Sequence, residues 1–322
     1  MTMRSATDVS GGRHVAVVGA GLVGAGWAIV FARAGLTVRV FDSSEKIAAG
    51  VLAFVAAQLE DMRTAGLVDS PSEILARISV SPSLAHAVQT ASYVQESVLE
   101  RVDVKVELMR QLEKLLPPDA VVGSSTSGIG ASRFTAGSPI APQVLVVHPV
   151  NPPHLVPVVE LVPSPTTSQR SLELAEALMN AVGQTPIRVN LEVEGFVLNR
   201  LQGVLLREAW ALVQDGVASC EDIDKTVRDG LGWRWSFMGP FETIDLNAPG
   251  GVTDYAARLG PLYQSIAASR THDEAWSAQL IGQVERERRQ YLAQEDLAKR
   301  RDWRDRMLMA FAVARKRQGG TT

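Results

Sequence analysis

Val15-Ala16-Val17-Val18 runs directly into Gly19-Ala20-Gly21-Leu22-Val23-Gly24, and this stretch decides the fold. Four apolar residues, three of them valine, read as a buried strand. The glycines that follow have the G-x-G-x-x-G spacing. The first permits a tight turn, the second lets backbone approach a pyrophosphate, and the third lets helix and strand pack closely. A helix begun at Leu22 and Val23 aims unpaired N–H groups and a partial positive charge at the same place. Asp42 closes the next apolar run, 18 residues past Gly24. A carboxylate there accepts hydrogen bonds from an adenosine ribose and repels a 2′-phosphate. The pattern predicts NAD as cofactor, held by Gly19, Gly21, Leu22, Val23, Gly24 and Asp42. FAD shares the fingerprint, but nothing else favours a flavin; a glycine-rich turn without a ligand is the plainer alternative. Val15 to Ala32 carries no charge and is long enough to suggest a membrane span. Glycines at 19, 21, 24 and 26 suit strand, turn and helix instead.

Outward from that turn, short apolar strands are predicted at His14–Gly19, Thr37–Asp42, Ile78–Ser81, Ser92–Glu96, Ala120–Ser124 and Val144–His148. Helical stretches lie between most of them, such as Ser43 to Thr64 with its three- and four-residue apolar spacing. A further pair of strands, Val156–Val162 and Thr185–Val189, flanks a helix from Thr167 to Val182. Strands alternating with helices build a parallel sheet covered on both faces. After Leu191 the pattern changes. Gly195 to Asp215 reads as one long helix, and more helices follow, broken at Gly230, Gly239-Pro240 and Pro249-Gly250-Gly251. The expected fold is α/β: a Rossmann-type, mainly parallel sheet domain over 1–191 and an all-helical domain over 192–322. The C-terminal stretch interleaves Arg with Glu and Asp, and Trp303, Met307 and Phe311 recur every four residues. That is an amphipathic helix with a solvated charged face rather than a basic binding arm.

Composition narrows the function classes. An apolar content of 46% with 21% charge suits a globular chain, and a net charge of −3 argues against binding nucleic acid through its phosphates. Cys220 is the only cysteine, so neither a disulfide frame nor a cysteine-based metal site is expected. It reads as a surface or helix-start residue, not a nucleophile. The polar first residues lack the apolar run of a signal peptide, which leaves the cytoplasm as the expected compartment, with no membrane partner.

Five histidines exist. His14 opens the first strand, His86 lies in a short helical stretch, and His154 and His272 lie in loop-like surroundings. His148 differs: it ends the apolar strand Val144-Leu145-Val146-Val147 and precedes Pro149-Val150-Asn151-Pro152-Pro153. Ligands of open α/β sheets bind beyond the carboxyl ends of strands, so this side chain stands where chemistry occurs. Glu160 lies twelve residues on, inside Val158-Val159-Glu160-Leu161-Val162, where a carboxylate needs a partner. An imidazole suits it, as in other His–carboxylate pairs. On spacing alone, a structural histidine and a strand-edge glutamate that never meet is equally open. Ser124-Ser125-Thr126-Ser127-Gly128 follows another strand and brings hydroxyls to the same edge. A turn or helix cap explains such a cluster without catalysis, and there is no G-x-S-x-G setting for a hydrolase nucleophile.

With these motifs the chain resembles the L-3-hydroxyacyl-CoA dehydrogenase superfamily over nearly its whole length, in particular its short-substrate branch of lambda-crystallin and L-gulonate 3-dehydrogenase. The resemblance rests on the glycine fingerprint, Ser124-Ser125-Thr126-Ser127, His148-Pro149-Val150-Asn151-Pro152, Gly195-Phe196-Val197-Leu198-Asn199-Arg200, and Gly230-Leu231-Gly232-Trp233-Arg234-Trp235 leading to Gly239-Pro240-Phe241-Glu242. It implies NAD-dependent oxidation of the 3-hydroxyl of a small, L-gulonate-like 3-hydroxy acid to the 3-keto acid. His148 then matches the catalytic histidine and Glu160 its carboxylate partner, while Ser127 and Asn199 resemble the groups that hold the reacting oxygen. Without the family, Asn199 reads as an ordinary polar helix residue. Glu100 and Lys105 match positions near the cofactor, although the family's usual Asn after that Glu is Arg101 here; a solvated helix face is the plain reading of both. Asn151 falls on the substrate side of its motif. Acyl-CoA members carry Tyr-Pro-Met before Gly-Pro-Phe, where this chain has Trp233-Arg234-Trp235-Ser236-Phe237-Met238. Arg234 suits a bidentate grip on a free carboxylate, or is a surface Arg stacked between tryptophans. The resemblance also implies a homodimer through the helical domain. A 3-hydroxyacyl-CoA substrate and a NAD-binding structural or sensor protein are the rival readings.

Overall fold

The computed structural model describes residues 4–270 and 275–317, so His272 lies outside the described residues. The chain divides into two compact units, Met1–Gln202 with Arg301–Thr322, and Gly203–Arg300. The first is built on eight strands: β1 (Val15–Val18), β2 (Val38–Phe41), β3 (Ile78–Val80), β4 (Tyr93–Glu96), β5 (Val121–Ser124), β6 (Val144–Pro149), β7 (Val158–Pro163) and β8 (Thr185–Arg188). They form one sheet in the order β3-β2-β1-β4-β5-β6-β7-β8. Every neighbouring pair is parallel except β6 and β7. All eight predicted strands are present. The last runs to Arg188 only, and β7 starts two residues later than expected because Pro157 has no N–H for a ladder.

β1 is buried on both faces. Val15 and Val17 join one apolar cluster, while Ala16 and Val18 join another, as the two-residue period of a strand requires. Helix α1 (Leu22–Arg33) is buried continuously from Gly24 to Ala32, which explains the uncharged run up to Ala32 without a bilayer. No helix among the described residues is long and apolar enough to cross a membrane. Helix α2 (Glu45–Thr64) starts at Ser44, whose hydroxyl accepts from the Ile47 N–H, and buries Val51, Val55, Leu59 and Met62 at the predicted spacing. Helices α3 (Val102–Leu112) and α4 (Gln169–Ala181) pack on the sheet in the same manner.

Helix α5 spans Leu198–Gln214. It begins three residues later than predicted because Gly195 and Phe196 both adopt positive φ, +76° and +50°. The compact units do not divide at Leu191. Residues 192–202 are tied to the sheet unit: Glu192 accepts from the Ser132 N–H, and Glu160 accepts from the N–H groups of Val197 and Leu198. The C-terminal helix also groups with the sheet unit, since Met309 joins its core and Leu308 packs against it. Trp303, Met307 and Phe311 are not the buried stripe of that helix; each is more than 40% exposed.

The second unit is helical. Val213, Cys220 and Leu280 form its small buried cluster, with Trp210, Ile223 and Val284 packed around it. Trp210 stacks on Trp276 at 4.4 Å. Helix α6 (Gly251–Ser269) buries none of its residues. Cys220 opens a short helix, as expected, but it is buried. Burial, helped by Glu287, pushes its thiol up to about 11, so it carries no nucleophilic thiolate at neutral pH.

Candidate active site

The sheet reverses its winding between β1 and β4, so the crevice beyond the carboxyl ends of these strands is where a dinucleotide sits in such a fold. Gly19 bends there with φ +96°, and a Cβ on it would come 2.4 Å from the Ser97 carbonyl oxygen. A Cβ on Gly24 would meet the Gly19 carbonyl at 1.8 Å, whereas one on Gly21 would meet nothing within 4 Å. Two of the three glycines are therefore required by the protein's own packing. The middle one faces open space, as a ligand-approach glycine must. Gly21 also caps α1 without any side-chain hydrogen bond, leaving the helix N-terminus for an anion. At the end of β2, Asp42 accepts from the Ala20 N–H at 2.7 Å and from the Ser44 N–H at 2.8 Å, one on each oxygen. That fixes the carboxylate and leaves lone pairs for two ribose hydroxyls. These residues fit NAD.

The antiparallel β6–β7 pair sets His148 directly opposite Glu160. Cross-strand partners put their side chains on one face, and Nδ1 of His148 lies 2.6 Å from Oε2 of Glu160. The other carboxylate oxygen accepts from Val197 N at 2.8 Å and Leu198 N at 2.9 Å. Glu160 therefore caps α5 and orients the imidazole at once. Burial alone would raise its carboxyl. The His148 hydrogen bond and the two backbone N–H groups outweigh burial and hold it below the ordinary carboxylate value. An ionised acceptor on Nδ1 puts the ring proton there and leaves Nε2 as a lone pair. Nε2 makes no hydrogen bond to the described residues, although the residue is only 6% exposed. Phe196 packs its ring 5.8 Å from the imidazole. A bulky residue at positive φ is strained, and here that turn delivers the two N–H groups to Glu160.

Asn199 follows Leu198, and its amide donates to the Ser127 carbonyl at 2.5 Å. Ser127 is exposed; its N–H donates to Glu100 Oε1 at 2.9 Å and its hydroxyl reaches the same oxygen at 3.4 Å. The structure thus joins His148, Glu160, Asn199, Ser127 and Glu100 in one run of bonded neighbours. Lys105 does not lie on a solvated face. It is buried among Leu108, Met109 and Leu112 on the inner side of α3, paired with Glu96 at 2.9 Å. Arg101 pairs instead with Asp103 on the surface. Asn151 is exposed in the loop after β6. Arg234 is exposed on the second unit, in the short helix Gly232–Trp235.

Sequence reasoning placed Ser125 in a hydroxyl cluster that a turn or helix cap explains, and missed its long-range partners. Ser125 Oγ accepts from Trp27 Nε1 at 3.1 Å and Gln95 Nε2 at 2.8 Å, and lies 2.8 Å from Ser97 Oγ. It fastens α1 to the ends of β4 and β5. The other described histidines are accounted for by packing. His14 Nε2 donates to the Ala87 carbonyl, and His86 Nδ1 meets Ser81 Oγ. His154 is buried beside Gln58, and burial lowers it to about 4. Among the described residues no group of three or more His, Cys, Asp or Glu could hold a metal ion.

The NAD-binding domain of 3-hydroxyacyl-CoA dehydrogenase matches residues 14–192, and the C-terminal domain of that enzyme family matches residues 195–288. A lambda-crystallin homolog of Bos taurus is 39% identical over 314 residues, covering 92% of this chain and 94% of the relative. The L-carnitine dehydrogenase of Pseudomonas putida is 36% identical over 247 residues, covering 76% of each chain. Among solved structures, (S)-3-hydroxybutyryl-CoA dehydrogenase from Ralstonia eutropha is 29% identical with a TM-score of 0.65, covering 79% of this chain and 88% of that one. The glycine turn, the paired His148 and Glu160 and these matches converge: the chain belongs to the 3-hydroxyacyl-CoA dehydrogenase family and is an NAD-dependent oxidoreductase acting on CH–OH groups.

Proposed function

We propose that the chain oxidises the 3-hydroxyl of a small, L-gulonate-like L-3-hydroxy acid to the 3-keto acid, with His148 as general base. The observation that carries the reading is the buried 2.6 Å contact between His148 Nδ1 and Glu160 Oε2, which makes Nε2 the proton acceptor. His148 takes the hydroxyl proton at Nε2, and the imidazolium so formed is offset by the Glu160 carboxylate. When bound, NAD would supply the acceptor for the hydride that leaves C3. The Ser127 hydroxyl and the Asn199 amide hydrogen-bond the substrate oxygen as it becomes a carbonyl. Gly19, Gly21, Leu22, Val23, Gly24 and Asp42 hold the cofactor. In His148→Ala, turnover falls by roughly 10²-fold or more while NADH affinity, read by fluorescence, is retained; wild-type turnover in that variant would remove the mechanism.

We assign the free carboxylate of the substrate to Arg234, whose exposed guanidinium makes no ion pair among the described residues. Asn151 is assigned to the same substrate. Trp233 and Trp235 flank Arg234 and are 71% and 42% exposed, which favours a second reading. A quaternary ammonium on the substrate, as in an L-carnitine-like acid, would pack on such rings. A panel of L-gulonate, L-carnitine and 3-hydroxybutyrate, with 3-hydroxybutyryl-CoA as the contrast, read by NADH absorbance, tests both. Preference for the thioester refutes the free-acid assignment, and no NADH from any of them favours a structural or sensor role. We further propose a homodimer through the helical unit. Helix α6 buries no residue of its own while exposing Leu262, Tyr263 and Ile266, an apolar face that a second copy would cover. Light scattering at the monomer mass would refute it.

A further inference from the structure

We infer that Ser97 is a cofactor-binding residue: a chain of hydrogen bonds behind it leaves its hydroxyl proton as a donor for an oxygen on the nicotinamide half of NAD. Tyr93, Gln95 and Ser97 stand two residues apart, the first two within β4 and the third just beyond it, so they share the sheet face that α1 covers. Tyr93 and Gln95 are fully buried, and polar groups so placed need partners. Tyr93 donates to Gln95 Oε1 at 2.7 Å. A Cβ on Gly123 would meet that hydroxyl at 2.0 Å, so the glycine on β5 leaves it room. Gln95 Nε2 lies 2.8 Å from Ser125 Oγ and 3.4 Å from the Val147 carbonyl. A carbonyl only accepts, which fixes the amide with its NH2 on that side.

Ser125 sets the direction of the chain. Its oxygen accepts from the Gln95 amide and, at 3.1 Å, from the Trp27 indole N–H, a group that can only donate. Both lone pairs are then spent, and one proton is left. Ser97 Oγ, 2.8 Å away, takes it. Between two serines alone either could donate; Trp27 and Gln95 remove that freedom. The Ser97 hydroxyl therefore keeps its own proton, which has no acceptor among the described residues.

Ser97 is half-buried, and its carbonyl packs against Gly19 at the β1–β4 switch point. Across the carboxyl edge of the sheet the order is Asp42 after β2, Gly19 after β1, Ser97 after β4 and His148 on β6. With the adenosine ribose on Asp42 and the hydride acceptor beside His148, Ser97 falls beyond the pyrophosphate, on the nicotinamide side. A donor without a protein acceptor there matches an oxygen of the ribose or the carboxamide. The inference rests on the proposed role of His148 for that direction.

Calorimetric titration with NADH and with ADP, which lacks the nicotinamide half, tests this without turnover. Ser97→Ala should weaken NADH roughly fivefold and leave ADP unchanged. Ser97→Cys, which keeps an atom to accept from Ser125 but is a poor donor, should match it. In Trp27→Phe, Ser125 regains a lone pair and competes for the Ser97 proton, so NADH should weaken roughly threefold at unchanged ADP affinity. Because both changes act on one proton, Ser97→Ala/Trp27→Phe should bind NADH no worse than Ser97→Ala alone. Wild-type NADH affinity in Ser97→Ala overturns the inference, and so does an equal loss for ADP, which would make Ser97 a packing residue of the glycine turn. Additive losses in the double variant overturn the chain from Trp27. Failure of the proposed function shows elsewhere, as wild-type turnover in His148→Ala.

Discussion

Glu160→Gln keeps the size of the side chain and removes one charge, and the geometry fixes the consequence. One carboxylate oxygen holds the N–H groups of Val197 and Leu198 at 2.8 and 2.9 Å; the other faces His148 Nδ1 at 2.6 Å. An amide offers one oxygen and one NH2. With the oxygen left on the two backbone donors, the NH2 points at Nδ1, which must then accept. The ring proton moves to Nε2, the atom required as base. The opposite flip sets the NH2 against two N–H groups and strands them, at about 1–3 kcal/mol for each buried donor. The first arrangement is therefore lower in energy, and the fold survives with the wrong tautomer. General-base catalysis is worth about 10² to 10⁴, and a wrong-tautomer histidine in a serine-protease triad loses about 10⁴. We expect kcat to fall about 10³-fold, near 4 kcal/mol of barrier, with NADH affinity unchanged. Steady-state NADH absorbance at saturating NAD measures the first, and a fluorescence titration the second. A kcat within tenfold of wild type would refute the tautomer argument.

The glycine turn separates packing from ligand binding. Gly24→Ala sets a methyl 1.8 Å from a backbone oxygen and should lower both Tm and NADH affinity, whereas Gly21→Ala meets no protein atom within 4 Å and should cost roughly tenfold or more in affinity at unchanged Tm. Equal melting of the two variants would contradict this. Asp42→Ser removes the carboxylate that repels a 2′-phosphate, so the ratio of NAD to NADP turnover should drop by roughly tenfold or more; an unaltered ratio would free Asp42 of that role. The Glu160 carboxyl is held below its ordinary value in the fold, so its contribution to stability is complete above the unfolded pKa and is lost as pH falls through the depressed folded one. Acid unfolding followed by circular dichroism should accordingly be steeper below the usual carboxylate range in wild type than in Glu160→Gln, and superimposable curves would count against it. Cys220, pushed up to about 11, should react with a thiol reagent at pH 8 roughly 10²-fold more slowly in the native protein than after unfolding; equal rates would show an accessible thiolate.

Much of the fold is legible because its determinants are local. Val15-Ala16-Val17-Val18 and the other strand segments are short, apolar and bounded by turn residues, and each became a strand. The direction of β7 was legible too. Only residues 150–157 separate it from β6, fewer than the dozen or more that a parallel crossover needs. That count alone makes the pair antiparallel, and an antiparallel pair with a short connection turns twelve residues of separation into a facing His148 and Glu160. The open alternative, in which they never meet, was decided by strand topology and not by either residue.

Lys105 carried a comparable signal. It stands at i with Leu108, Met109 and Leu112 at i+3, i+4 and i+7, the spacing of a buried helix face. A lysine in that register has to find a carboxylate indoors, and of the acidic residues close upstream, Glu96, Glu100 and Asp103, the last pairs with Arg101 on the surface. What no local pattern carries is the joining of distant segments. Ser125 meets Trp27 across 98 residues and Asn199 meets Ser127 across 72, and positive φ at Phe196 leaves no mark in the identity of a phenylalanine. These long-range bonds are the ones that aim the site. The chemistry-bearing residue types are written in local motifs, while their alignment depends on sheet order, a strained turn and buried ion pairs. A substitution that preserves every motif residue but disturbs one of those supports should therefore leave the family resemblance intact and lower turnover, which is the behaviour expected of Trp27→Phe, where Ser125 loses the indole N–H.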